Sequence, residues 1–86
     1  MKPVRLSSHA VGYIEKRGFT REEVEETIRD SSWDPAEWGV GRLECSREFA
    51  YNQDWNGKVF ATKRVRPIFV EEDLESVVVT VYTYYY

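Results

Sequence analysis

Two groups of residues in this 86-residue sequence carry side chains able to do chemistry. His9, Tyr13 and Arg17 recur at i, i+4 and i+8, which puts them on one stripe of a helix. An imidazole near a helix N-terminus is disfavoured as a cation by the helix dipole, and a neutral imidazole is a general base at physiological pH. The plainer reading makes His9 a local hydrogen-bonding group beside a cap, and Arg17 a cation that suits the last turn. The second group lies in residues 42–66, where six basic side chains (Arg42, Arg47, Lys58, Lys63, Arg64, Arg66) meet three acidic ones. Strand parity places Arg64 and Arg66 on one face and Lys63 on the other. Joined by Arg42 or Arg47 from a neighbouring strand, Arg64 and Arg66 could hold phosphates. The plainer reading is a solvated sheet face, balanced by the six acidic side chains in residues 15–30.

Other chemistries find little support. Ser7 and Ser8 read as helix caps, since no Gly-x-Ser-x-Gly elbow surrounds them. Cys45 has no sequence neighbour that would favour a thiolate and reads as a core residue. One Cys and one His supply neither a disulfide framework nor the usual zinc sets, and the sequence carries no EF-hand spacing or dinucleotide glycine motif. No metal or cofactor is therefore expected. The acidic groups at residues 22–26 and 71–75 read as solvated faces.

Composition sets the frame for these groups. Hydrophobic residues at 42% and charged residues at 31% suit one folded domain spanning residues 1–86. The net charge of -3 argues against a generally basic nucleic-acid coat, though not against a local basic patch. The N-terminus reaches no apolar run, and the stretch from Val77 to Tyr82 is far too short to span a membrane. A small cytoplasmic domain is expected.

The elements that must position the two groups are partly legible. Ser7 or Ser8 starts a helix over 8–17, and Gly18 stops it after Lys16 and Arg17. Thr20 and Glu23 form a capping box for a second helix running to Asp30, with Phe19 and Val24 as its hydrophobic staple. Residues 32–41 read as a loop that Trp33 and Trp38 pin to the body. Alternation from Leu43 to Phe49 suggests a strand, and Asn56-Gly57 the tight turn of a hairpin. The returning strand starts at Lys58 and could reach Val70, with an edge, bulge or break at Pro67. A last strand over 76–84 is apolar on both faces around Val77 to Tyr82, as if covered on both sides. The layout is α+β, with two N-terminal helices packed on one face of an antiparallel sheet of three or four strands. A domain of this size buries only about 60% of its unfolded surface, so the C-terminal aromatics suit a homodimer or partner contact.

Three segments carry a family resemblance: "SSHAVGYIEKRGFTREEVEETIRD", "KRVRPIFVEED" and "VVVTVYTYY". Their Ser-x-His-Ala opening, Arg-Gly-Phe-Thr-x-Glu-Glu-Val junction and Val-Val-Thr-Val-Tyr strand fall on residues 7–10, 17–24 and 78–82. In these features the chain resembles a family of small prokaryotic domains grouped with the RelE/ParE toxin superfamily, near its BrnT-like branch. That resemblance implies a microbial-ribonuclease-like fold. It also implies a toxin held by an antitoxin protein, acting either as a metal-independent endoribonuclease on mRNA, often at the ribosome, or as a poison of DNA gyrase without nuclease chemistry. Carried over, His9 is the candidate base, Arg17, Arg64 and Arg66 are phosphate ligands, and Tyr82 is a substrate or proton-transfer contact. Arg42, Arg47 and Lys63 would extend the phosphate-binding surface. The acidic balance departs from the strongly basic toxins of this kind, and the alternative to the nuclease is a non-catalytic module that binds protein.

Overall fold

The computed structural model describes residues 2–37 and 39–86. Its elements are β1 (Val4–Leu6), α1 (Ser8–Gly12), α2 (Ile14–Arg17), α3 (Arg21–Asp30), β2 (Asp34–Pro35), β3 (Leu43–Glu44), β4 (Arg47–Trp55), β5 (Lys58–Glu71) and β6 (Ser76–Tyr85). The strands form one sheet in the order β1-β6-β5-β3-β2, with β4 also paired to β5.

This corrects the expected architecture. The sheet has six strands and is mixed, because β1 runs parallel to β6, Val4 opposite Ser76. Three short helices accompany it in place of two longer ones. The helix read over 8–17 divides at Tyr13, whose backbone (φ -103°, ψ 0°) leaves the helical path directly after Gly12. A glycine costs a helix interior about 1 kcal/mol relative to Ala, which makes this the weak point of the segment. Only α3 lies flat on the sheet, burying Val24, Thr27 and Ile28. With α1 and α2 the chain instead runs beside β6 where β1 ends. There Ser7 Oγ donates to the Val79 carbonyl and Arg17 Nη1 to the Val81 carbonyl, at 3.0 and 2.8 Å, in place of a strand partner.

The α3 start follows the sequence. Thr20 Oγ1 accepts from the Glu23 amide, and the Glu23 carboxylate accepts from the Thr20 amide, so both capping-box bonds form. Pro67 does not break its own strand, since β5 runs through it; the interruption falls on the neighbouring strand instead. The paired Thr62 and Tyr86 exchange both backbone bonds, so alternation turns residues 63, 65 and 67 of β5 toward β3 and β4. Pro67 has no N–H to offer on that side. Opposite it the neighbouring strand is interrupted at residues 45 and 46, between β3 and β4.

The hairpin forms at Asn56-Gly57 (φ 54° and 88°), with Trp55 paired to Lys58. Trp33 does pin its loop, donating to the Ile28 carbonyl at 2.8 Å and packing edge-on against Phe69; Trp38 lies outside the described residues. The two-faced apolar reading of β6 has a physical cause. Ile68 opposes Thr80 but Phe69 opposes Val78, so a bulge at Val79 resets the alternation. Val78 and Val81 both face the core, and Tyr82 and Tyr84 face out, 40% exposed each. The core itself gathers Val4, Leu6, Ala10, Phe19, Val65 and Phe69 with the buried residues of α3. No helix is long and apolar enough to cross a membrane among the described residues.

Candidate functional site

On the sheet face away from α3, the register sets Arg66 opposite Tyr82 and Arg64 opposite Tyr84. The Arg66 guanidinium lies 5.6 Å over the Tyr82 ring and the Arg64 guanidinium 5.6 Å over Tyr84. From the other side of β6, Arg17 reaches over the Tyr82 ring at 4.9 Å and over Tyr13 at 4.0 Å. His9 closes the series, its ring 4.8 Å from that of Tyr13. Rings and guanidiniums therefore alternate from Tyr13 through Arg17, Tyr82, Arg66 and Tyr84 to Arg64, with the His9 ring against Tyr13 at the start. Each such cation–aromatic contact contributes roughly 0.5–1 kcal/mol at an exposed site, enough to hold the cations in place without a ligand.

The backbone fixes this line at both ends. Arg17 is the last residue of α2, and Gly18 then turns the chain through φ 77°. Thr83 Oγ1 and the Tyr85 hydroxyl both donate to the Arg17 carbonyl, at 2.6 and 2.7 Å. Tyr85 is itself stacked on Trp55, with ring centroids 4.7 Å apart. Burial, helped by the nearby Tyr51 hydroxyl, pushes the Tyr85 phenol up to about 12. At the other end Ser7, not His9, caps α1 by accepting from the Ala10 amide at 3.2 Å. The His9 imidazole is exposed.

Arg17 Nη1 donates to Thr80 Oγ1 and the Val81 carbonyl, whereas Arg66 is paired with a carboxylate. Arg66 Nη2 donates to Glu44 Oε2 at 2.8 Å and its Nη1 to the Tyr84 hydroxyl at 3.2 Å. The Glu44 bond first, then Tyr84, holds the guanidinium above its ordinary range. Arg64 donates to Ser46 Oγ at 3.0 Å and remains exposed.

The other sequence candidates divide. Arg42 lines a cleft beside Arg66 and Tyr82 and so joins the face. Arg47 lies on the opposite face, paired with Val65 in register and with Glu26 and Asp30 of α3 as ion partners. Lys63 is also on the helix side, as parity indicates. It is 5% exposed and donates to the Gly18 carbonyl and the Glu23 carboxylate. Both are fold contacts, and neither side chain points to the face that carries Arg64 and Arg66. Cys45 is buried, its thiol against the Thr27 carbonyl, and burial with the nearby Glu44 pushes it up to about 12. Among the described residues no group of three or more His, Cys, Asp or Glu side chains could hold a metal ion.

Sequence reasoning missed Glu44, Tyr84 and Thr80 as members of this face. Tyr84 shares its parity with Tyr82, which was a usable signal. Thr80 shares that parity too, and Glu44 shares that of Ser46; the two meet because both oppose Ile68 of β5, a pairing that the sequence pattern does not number. No protein-family model, curated protein or solved structure matches this chain.

Proposed function

We propose that the chain is an endoribonuclease of the toxin type, acting on single-stranded mRNA in the cytoplasm through the His9-to-Arg64 face. One observation carries the reading. His9, Arg17, Tyr82 and Arg66, drawn from two helices and two strands, share one line of contacts through Tyr13, with His9 and Tyr82 exposed and Arg17 and Arg66 half-buried. Cleavage by this route needs a base, cations at phosphorus and an acid, with no bound metal. The His9 imidazole takes the ribose 2′ proton, and the 2′ oxygen attacks its own phosphate. Arg17, which shares the Tyr13 ring with His9, neutralises the charge that gathers on phosphorus. The bond from phosphorus to the 5′ oxygen breaks, and the Tyr82 hydroxyl supplies the proton to that oxygen. Arg66 and Arg64, further along the line, hold the phosphates that follow. The resemblance of residues 7–10, 17–24 and 78–82 to the RelE/ParE toxin superfamily supports the same assignment.

A second reading rests on a different observation. Arg66 is already paired with Glu44, and the chain is acidic overall, so the face carries little surplus charge for RNA. Tyr and Arg are also the side chains that dominate protein interfaces. On that reading the face docks an acidic antitoxin-like protein and does no chemistry.

Induced expression in a bacterial host, with primer extension on total RNA, tests the first reading. We expect growth arrest with new, defined 5′ ends that disappear in His9→Ala and Arg17→Ala while both variants stay soluble. Arrest without RNA cleavage, or cleavage undiminished in both variants, contradicts the catalytic assignment and leaves the docking face.

A further inference from the structure

We propose that the cleft beside Tyr82 is a guanine pocket, reading an unpaired guanosine of the RNA strand on this face; the inference rests on the RNA reading above. The cleft, of about 130 Å³, opens where the connection from β2 to β3 meets the outer face of β5 and β6. Ile68 and Thr80, paired in register, form its floor; Arg42, Glu44, Arg66 and Tyr82 stand around it, with Ala36 and the exposed Glu37 at its rim. That is space for one planar ring system; whole drug-sized ligands occupy roughly 300–1,000 Å³.

The polar groups select the ring. Glu44 is half-buried, and the Arg66 bond to Oε2 fixes how its carboxylate faces the cleft. Arg42 is exposed; its carbonyl accepts from the Ala36 amide at 2.8 Å, while its guanidinium makes no hydrogen bond or ion pair among the described residues and is open to a ligand. A ligand that satisfies both presents donors to the carboxylate and acceptors to the guanidinium, which one flat ring can do along two adjacent edges. Guanine does this: N1–H and N2–H face a carboxylate in two parallel bonds, while O6 and N7 accept from an arginine fork. Adenine sets its N6 amino group where the arginine needs an acceptor. Cytosine offers one amino group and no purine acceptor pair, and uracil only the single N3–H donor. The Watson–Crick edge of guanine is open only when the base is unpaired, which agrees with a single-stranded target. Ile68 supplies the apolar surface beneath the ring.

Titration of the isotopically labelled full chain with the four 3′-nucleoside monophosphates, followed by NMR, tests this directly. We expect 3′-GMP to move the Ile68 and Thr80 amide signals and to bind at least tenfold more tightly than the other three. Glu44→Gln should remove that preference, because a carboxamide cannot accept from both N1–H and N2–H. Arg42→Ala, in an exposed loop and independent of the Glu44 pair, should weaken 3′-GMP binding several-fold. Equal binding of the four nucleotides, shifts confined to another surface, or a preference that survives Glu44→Gln would overturn the pocket.

Two further arms separate the possibilities. A short RNA with one central guanosine should bind more tightly than free 5′-GMP; the reverse order would make this a free-nucleotide site and overturn the RNA placement. RNA cleavage without guanosine preference overturns the pocket but leaves the nuclease. Guanine-selective binding of RNA that is never cut supports the pocket and removes the nuclease.

Discussion

Lys63 shows how a residue's neighbours decide its role. By charge alone it belongs with Arg64 and Arg66; one step of strand parity instead buries it under the start of α3, against Glu23 at 2.7 Å. Breaking a buried pair leaves an uncompensated charge, at a cost of about 3 kcal/mol. Lys63→Ala should therefore lower stability in urea unfolding by about that amount, and Lys63→Met combined with Glu23→Gln should recover a good part of it. RNA affinity of the folded Lys63→Ala protein should stay unchanged; a large loss there would move Lys63 back to the binding surface. Two buried acids set the alkaline limit in the same way. Cys45 and Tyr85 titrate near 12 when folded, against ordinary values of 9.0 and 10.0. The folded state thus holds their protons longer than the unfolded chain does. Their contribution is complete below about pH 9 and falls as the pH rises from 9 toward 12. Urea midpoints measured at pH 8, 10 and 11 should drop steadily, and Tyr85→Phe should flatten the fall above pH 10. A constant midpoint would contradict the burial of both groups.

Among the elements, the junction of α2 and α3 matters most, because it sets Arg17. Gly18 there has φ 77°, and an added Cβ would lie 2.5 Å from Trp55 Cζ3. The left-handed backbone costs a side chain about 1–2 kcal/mol, and the overlap with a stacked ring adds roughly 1–3 more. Gly18→Ala should thus lower the stability of the whole domain and loosen the face, read as reduced hydrogen-exchange protection around Arg17 and Thr83. Unchanged protection would mean that the Trp55 and Tyr85 stack does not hold the junction. The same scale shows what the sequence could tell. The capping box at Thr20, the Asn56-Gly57 turn and the parity of Arg64 and Arg66 are local signals, and the structure carries all three. The three-residue β1 is not local: its partner lies some seventy residues away and its alternation is too short to register. Neither the interruption opposite Pro67 nor the bulge at Val79 has a fixed sequence mark. Glu44 keeps the alternation of Ser46 and Glu48, and Thr80 that of Tyr82 and Tyr84, so their face is legible by parity; what gathers them is that both oppose Ile68 of β5, a pairing that alternation does not number.

At the scale of the whole molecule, the charge is divided more than it is scarce. Arg17, Arg66 and Arg64, the cations set on phosphates, lie on one side, while Glu26 and Asp30 on α3 engage Arg47 on the other. Three such cations set a modest electrostatic contribution. For single-stranded RNA the log–log slope of affinity against salt should lie near -2, at about -0.7 per phosphate neutralised. A much steeper slope, measured by fluorescence anisotropy between 50 and 200 mM salt, would require cations that this face does not have. One product analysis tests the nuclease chemistry. The purified chain is incubated with a defined oligoribonucleotide in EDTA, and the ends are identified by mass spectrometry. We expect fragments ending in a 2′,3′-cyclic phosphate, absent with His9→Ala and absent when the scissile ribose is replaced by 2′-deoxyribose. An oligonucleotide left intact by soluble, folded protein, or cut equally well without that 2′-hydroxyl, would contradict it.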